Sequence, residues 1–304
     1  MITPLQGRDQ LDHPGLERLV EHILGGGVTG LFILGTSGEG PGLSYRLRRE
    51  LIDRVTHQVA GRRPVLVGIT DTSFTECVSL SRYAAERGAQ ALVLATPYYF
   101  PSNQDELSGH LERLIPELPL PVLLYNMPQM TKVPFAVETV RRATALPGVI
   151  GVKDSGGDLE YFKQILTLRR ERPDWSFLIG PEERLLDALR AGGDGGVSGG
   201  ANVFPRLYVQ LCEAAFAGDA VRAERLQAAI LRVSEALYRI GRHSSPVITG
   251  IKGALRCLGV CSDFMAEPFE RFPEGERDVV RARVAELQAD LAALNVQTSH
   301  AETR

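Results

Sequence analysis

The chain has 304 residues, 44% of them hydrophobic and 23% charged, a balance that excludes a disordered or fibrous protein. With 34 Lys and Arg against 37 Asp and Glu the net charge is -3, which provides no basic field to collect the phosphates of a nucleic acid. No apolar run approaches the roughly 20 residues that cross a bilayer, and Met1-Ile2-Thr3-Pro4-Leu5 lacks the charged end and apolar core of a signal peptide. A cytoplasmic protein with neither a nucleic-acid nor a membrane partner is expected.

Short β-branched apolar runs alternate with longer amphipathic stretches, the pattern of βα units around a parallel sheet. Strands are predicted at Met1 to Pro4, Val28 to Leu34, Pro64 to Ile69, Gln90 to Thr96, Pro121 to Tyr125, Val149 to Lys153, Trp175 to Ile179 and Gly195 to Ser198. The first is unusually short. It is inferred because the helix-like Leu16 to Leu24 needs a strand before it, and a start upstream of Met1 would lengthen it. Helices are predicted at Tyr45 to Val59, Phe74 to Arg87, Gln104 to Ile115, Phe135 to Ala143, Leu159 to Arg170, Glu182 to Ala191 and Pro205 to Ala217.

Eight such units suit a closed (β/α)8 TIM barrel of roughly 250 residues better than a doubly wound sheet, which stops at about six strands. After Gly218 the strands cease, and Ala220 to Ile240, Val247 to Leu258 and Glu274 to Leu294 read as helices with one apolar face. The expected organisation is a catalytic barrel over residues 1–218 and a C-terminal helical extension over 219–304, frayed from about residue 294. Cys77, Cys212, Cys257 and Cys261 form no Cys-x-x-Cys pair and are expected to be reduced packing residues.

Barrel enzymes carry their chemistry at the carboxyl ends of the strands. Lys153 ends the run Val149-Ile150-Gly151-Val152, where an apolar surrounding disfavours the ammonium and exposes a nucleophilic amine. A lysine paired with Asp154 is the alternative, and position alone leaves the two level. Tyr125 ends the neighbouring strand and could relay protons to a carbinolamine, with the hydroxyls of Thr36 and Tyr99 passing them on. Strand-end tyrosines are otherwise packing residues. The turn Thr36-Ser37-Gly38 can offer consecutive N–H groups to a carboxylate, or serve chain reversal alone. The glycine-rich stretch from Gly192 to Gly200 holds no Lys or Arg, which favours close packing over a phosphate site. None of the six histidines falls at a predicted strand end, so no metal is expected. No P-loop, nucleophile elbow or dinucleotide fingerprint is present.

These residues together resemble a known family, the pyruvate-dependent class I aldolases grouped as dihydrodipicolinate synthase and N-acetylneuraminate lyase. The likeness spans most of the chain. It rests on Gly35-Thr36-Ser37-Gly38-Glu39, Pro97-Tyr98-Tyr99, Tyr125-Asn126-Met127-Pro128, Gly151-Val152-Lys153-Asp154-Ser155 with Gly157-Asp158, and Asn202-Val203-Phe204-Pro205. The resemblance implies that Lys153 forms a Schiff base with a keto carbon, that Tyr125 is the general acid and base, and that Thr36 links it to Tyr99. It also implies that Tyr99 reaches in from a neighbouring subunit of a homotetramer built as a dimer of dimers. Thr36, Ser37 and Gly38 would hold the substrate carboxylate, and no cofactor is implied beyond the covalent imine.

Substrate choice is where this sequence departs from the pattern. Synthases of the family resemble one another in an Arg two residues after the Pro of Tyr-Asn-x-Pro, and here that position is Met130. A thioether cannot form the bidentate ion pair with a carboxylate. The sialic acid lyases are similar in an apolar residue there and in an acidic pair, which falls on Glu182 and Glu183, but their serine aligns with Gly199. Pro101 and Gly40-Pro41-Gly42-Leu43-Ser44 look like the 2-keto-3-deoxy sugar acid aldolases. The expectation is therefore a Schiff-base lyase on a 2-oxo acid, with a 2-keto-3-deoxy sugar acid favoured. The alternatives are dihydrodipicolinate synthase proper, a 2-keto-3-deoxy acid dehydratase, and a non-catalytic barrel that binds a 2-oxo acid.

Overall fold

The computed structural model describes residues 1–241 and 245–296. The expectation of a frayed tail therefore lies, from residue 297 onward, outside the described residues. In chain order the elements are β1 (Leu5–Gly7), β2 (Gln10–Leu11), α1 (His13–Gly25), β3 (Leu31–Ile33), α2 (Tyr45–Val59), β4 (Val65–Gly68), α3 (Phe74–Glu86), β5 (Ala91–Ala95), α4 (Gln104–Leu114), β6 (Val122–Asn126), α5 (Pro128–Thr131), α6 (Val137–Ala143), β7 (Val149–Asp154), α7 (Leu159–Leu166), β8 (Ser176–Ile179), α8 (Leu185–Arg190), β9 (Gly195–Gly196), α9 (Pro205–Phe216), α10 (Ala220–Leu237), α11 (Pro246–Cys257) and α12 (Glu274–Ala293). They gather into two compact units, residues 64–197 and residues 1–63 with the described part of 198–304.

In the unit of residues 64–197, β4 to β9 form a parallel sheet in sequential order. Every residue of β5 and β6 is buried, as a parallel sheet covered on both faces requires. Among the crossover helices α3, α4 and α7 start where a side chain caps them. Asn103 Oδ1 accepts from the N–H of Glu106 at 2.9 Å while Glu106 Oε2 accepts from Asn103 N at 2.8 Å, a reciprocal capping box that starts α4. At α7 the cap is one-way, Asp158 Oδ1 accepting from Glu160 N and Tyr161 N. Trp175, Phe162 and Phe177 are the largest buried side chains here besides Phe135.

In the other unit, the strand expected at Met1 to Pro4 does not form. The segment is held piecemeal: the α-amino group of Met1 donates to Phe32 O at 2.6 Å, Ile2 N to Asn202 Oδ1 at 2.9 Å, and Thr3 Oγ1 to Gly38 O at 2.6 Å. Only the first of these bonds reaches a strand, β3; the others go to a side-chain amide and to a turn carbonyl. The regular pairing falls one step later, where β1 and β2 make a small antiparallel hairpin turned by Asp9 at a φ of 54°. Helices α10, α11 and α12 form the expected C-terminal helical extension. Val280, Val284, Leu287 and Leu291 make the buried stripe of α12, and Ile251, Ala254 and Leu255 that of α11. Val296, the last described residue, is buried. All four cysteines are free, Cys77 and Cys261 buried and Cys212 and Cys257 half-buried. Burial pushes the Cys261 thiol up to about 12 and that of Cys212 up to about 11. Among the described residues no helix is long and apolar enough to cross a membrane.

Candidate active site

Strands β6 and β7 end side by side, with Tyr125 paired in register to Lys153 and Asn126 to Asp154. Residues paired across a sheet project to the same face, and successive residues to opposite faces. Tyr125 and Lys153 therefore share one face and Asn126 and Asp154 the other. Lys153 is only 5% exposed and Tyr125 only 6%. The Lys153 Nζ lies 3.8 Å from the centroid of the Tyr125 ring. A buried amine against an aromatic face and a phenol is a place where a proton can be moved and a carbonyl attacked.

The carboxyl of Asp154 is directed elsewhere. Its Oδ1 accepts from Asn126 Nδ2 at 2.7 Å and from Gly156 N at 3.0 Å. Burial pushes it above the ordinary carboxylate range, against the pull of those two donors and of Lys153. The alternative of a lysine paired to its neighbour in the chain thus meets a side chain already engaged on the opposite face. Burial also raises the phenol of Tyr161, whose hydroxyl donates to Phe135 O at 2.8 Å.

The other predicted residues of this unit fall at the neighbouring strand ends. Tyr99 is 80% exposed, at a φ of 85°, with its ring edge-on to the equally exposed Phe100 at 4.9 Å. Met130 sits on the single-turn α5, 57% exposed. Its loop is tied down by Thr96 Oγ1, which donates to Val133 O at 2.8 Å, and by Gln129 Nε2, which donates to Gly156 O at 2.8 Å. Ser155 is half-buried and its N–H donates to Asn126 O at 2.8 Å. Glu182 is buried while Glu183 is exposed, so the acidic pair does not project together.

Thr36, Ser37, Gly38 and Gly199 belong to the other unit. Thr36 and Ser37 are half-buried in the turn after β3, which is closed by Glu39 N to Thr36 O at 3.0 Å and Gly40 N to Gly35 O at 3.2 Å. Gly199 O accepts from Asn202 Nδ2 at 2.8 Å, and a Cβ on Gly199 would meet Ile251 Cδ1 at 3.1 Å. A side chain there needs Ile251 to give way. Reasoning from sequence missed the anchor of this turn: Glu39 Oε1 accepts from Ala266 N at 2.8 Å and its Oε2 is ion-paired to the fully buried Lys252, whose Nζ also donates to Phe264 O at 2.7 Å. A lysine between Ile251 and Ala254 on an apolar helix face was the available signal. Among the described residues no group of three or more His, Cys, Asp or Glu side chains is placed to hold a metal ion.

Comparison with known proteins agrees over nearly the whole chain. The model of the dihydrodipicolinate synthetase family matches residues 1–287. The 4-hydroxy-tetrahydrodipicolinate synthase of Ralstonia nicotianae is 33% identical over 282 residues, 93% of this chain and 94% of the relative. The structure of dihydrodipicolinate synthase from Bacteroides thetaiotaomicron superposes with a TM-score of 0.91 at 46% identity, covering 94% of this chain and 96% of that one. YagE of Escherichia coli K12, described as a prophage protein of the dihydrodipicolinic acid synthase family in complex with pyruvate, superposes at 0.87 with 28% identity and 97% coverage of both chains. These names speak for the synthase among the readings drawn from the sequence, and none mentions the sugar acid that the sequence favoured. The chain belongs to the dihydrodipicolinate synthetase family, and is thereby a pyruvate-dependent lyase of the class I aldolase type with the (β/α)8-barrel fold.

Proposed function

We propose that Lys153 is the Schiff-base lysine of a condensing enzyme that uses pyruvate as donor and aspartate semialdehyde as acceptor. The observation that carries the chemistry is the buried Lys153 amine 3.8 Å from the ring of Tyr125. The names of the relatives support the choice of reaction. The amine nitrogen attacks the keto carbon, the carbonyl oxygen takes a proton from the Tyr125 phenol, and loss of water leaves a protonated imine. That imine withdraws electrons, so the adjacent methyl loses a proton to give an enamine, and the enamine carbon bonds to the aldehyde. Hydrolysis of the new imine frees Lys153.

The family resemblance supports Thr36, Ser37 and Gly38 as the groups for the substrate carboxylate. It also supports Tyr99 as a contribution from a second subunit in a homotetramer, and an exposed aromatic pair at positions 99 and 100 suits that role. No cofactor is called for beyond the imine itself.

Met130 favours a second reading. With a thioether where a guanidinium would clamp a second carboxylate, the acceptor is a neutral aldehyde, and the favoured reaction is cleavage of a 2-keto-3-deoxy sugar acid or its dehydration. The decisive experiment assays pyruvate condensation with aspartate semialdehyde beside pyruvate release from a panel of 2-keto-3-deoxy acids and N-acetylneuraminate. Turnover in the condensation arm supports the proposal. Release from a sugar acid with no condensation overturns it for the second reading. Saturable pyruvate binding with no turnover in any arm leaves the non-catalytic binding barrel.

A further inference from the structure

Strand β7 faces β6 with one residue too many. Val122 pairs with Val149, yet Leu123 pairs with Gly151, which makes Ile150 the extra residue of a bulge. Beyond it the pairs run Leu124 with Val152, Tyr125 with Lys153 and Asn126 with Asp154. In an unbulged ladder Tyr125 would face Val152, and the Lys153 side chain would be thrown to the far face of the sheet. The bulge is built on Gly151, whose φ of 147° suits glycine and where a Cβ would come 2.0 Å from Ser176 O. No side chain fits there.

A bulge tolerates slippage unless something fixes the register after it. One rung past Tyr125 and Lys153, the buried Asn126 Nδ2 donates to Asp154 Oδ1 at 2.7 Å. Asn126 Oδ1 in turn accepts from Phe135 N at 3.0 Å, and Asp154 Oδ1 accepts from Gly156 N at 3.0 Å. Donor and acceptor types match at every contact, and the bond ties together the loops that follow both strands.

We propose that Asn126 and Asp154 are positioning residues, whose buried hydrogen bond locks the bulged register of β7 on β6 and so holds Lys153 against Tyr125. This rests on the reading of Lys153 and Tyr125 as the reacting pair. The titratable groups around the bond are Lys153 on β7, Tyr125 on β6, and Asp158 and Tyr161 at the start of α7.

The test replaces the donor. In Asn126→Asp two carboxyl groups face each other, and the bond is remade only when one of them takes a proton. At about pH 8 this variant is expected to lose about tenfold or more in kcat with KM for pyruvate within about threefold, because the groups are misplaced while the carboxylate site is kept. The loss recedes, relative to the parent at each pH, as pH is lowered toward about 5.5. Asn126→Leu shows the same loss without recovery, and circular dichroism verifies that both variants fold. A folded Asn126→Asp that matches the parent at every pH, or that fails to recover in acid, overturns the proposal. Borohydride labelling of the parent separates the two failures: a parent unlabelled at Lys153 sinks the reading of the site and the proposal with it, whereas a labelled parent with an indifferent variant sinks the proposal alone.

Discussion

The molecule buries two lysines, and their surroundings differ in kind. Lys252 on α11 is wholly enclosed, ion-paired to Glu39 and hydrogen-bonded to Phe264 O. Burial lowers its pKa against the attraction of that carboxylate. Its ammonium is held by the chain itself, between the turn after β3 and the segment after α11. Lys153 is nearly as buried, its Nζ lies over the face of Tyr125, and the carboxyl next to it in the chain is hydrogen-bonded to Asn126 and Gly156. Burial alone does not make a lysine a nucleophile. What separates the two is the group beside the amine, a carboxylate at Lys252 and a phenol ring at Lys153.

The largest effect that would sharpen this contrast is expected from Lys153→Ala, which should reduce turnover about a thousandfold or more while leaving the fold intact. Steady-state kinetics on the purified variant checks it, and retained turnover would break the contrast. The next concerns the other lysine. Glu39→Leu leaves the Lys252 ammonium buried without its carboxylate and should cost about 3–5 kcal/mol of stability, read from the denaturant midpoint. The double variant Glu39→Leu/Lys252→Met, with no stranded charge, should recover most of that loss. If it does not, Lys252 does more than neutralise Glu39.

Met130→Arg probes the ligand side of the comparison. A guanidinium at that exposed position should raise kcat/KM for aspartate semialdehyde by about tenfold, the worth of one charge-assisted hydrogen bond. No gain would mean that the carboxylate of the acceptor is held elsewhere. The smallest effect belongs to the half-buried His110, which packs edge-on to Phe74 and whose partial burial holds it below its ordinary pKa. Its native form releases the proton at lower pH than the unfolded chain does. Stability is therefore full above about pH 6.5 and falls as pH drops toward the depressed native value. His110→Phe should flatten that slope slightly in pH-dependent urea melts.

The alternation of apolar runs and amphipathic stretches made seven strands legible to within a few residues, because a parallel sheet buries both faces and leaves a continuous signature. Helix α2 was read to its bounds, since Ser44 caps it and Ala60 ends it. The start was misread: no sequence period reveals that Ile2 is held by the amide of Asn202, 200 residues away. The hairpin of β1 and β2 and the single turn α5 are too short to show a period at all. The strand-end positions of Lys153 and Tyr125 were legible because the apolar runs before them mark β7 and β6. The bulge at Ile150 was not, because an extra residue inside an apolar run looks like one more apolar residue. The pairing of Glu39 with Lys252 was hidden for a related reason, as a salt bridge across the chain leaves no local pattern.

The most direct test of the central claim is reduction with borohydride in the presence of pyruvate, followed by peptide mass mapping. A pyruvate-dependent mass increase confined to the peptide bearing Lys153, and absent from Lys153→Ala, is the predicted result. An increase that persists in that variant, or that maps to Lys252 or another lysine, would contradict it.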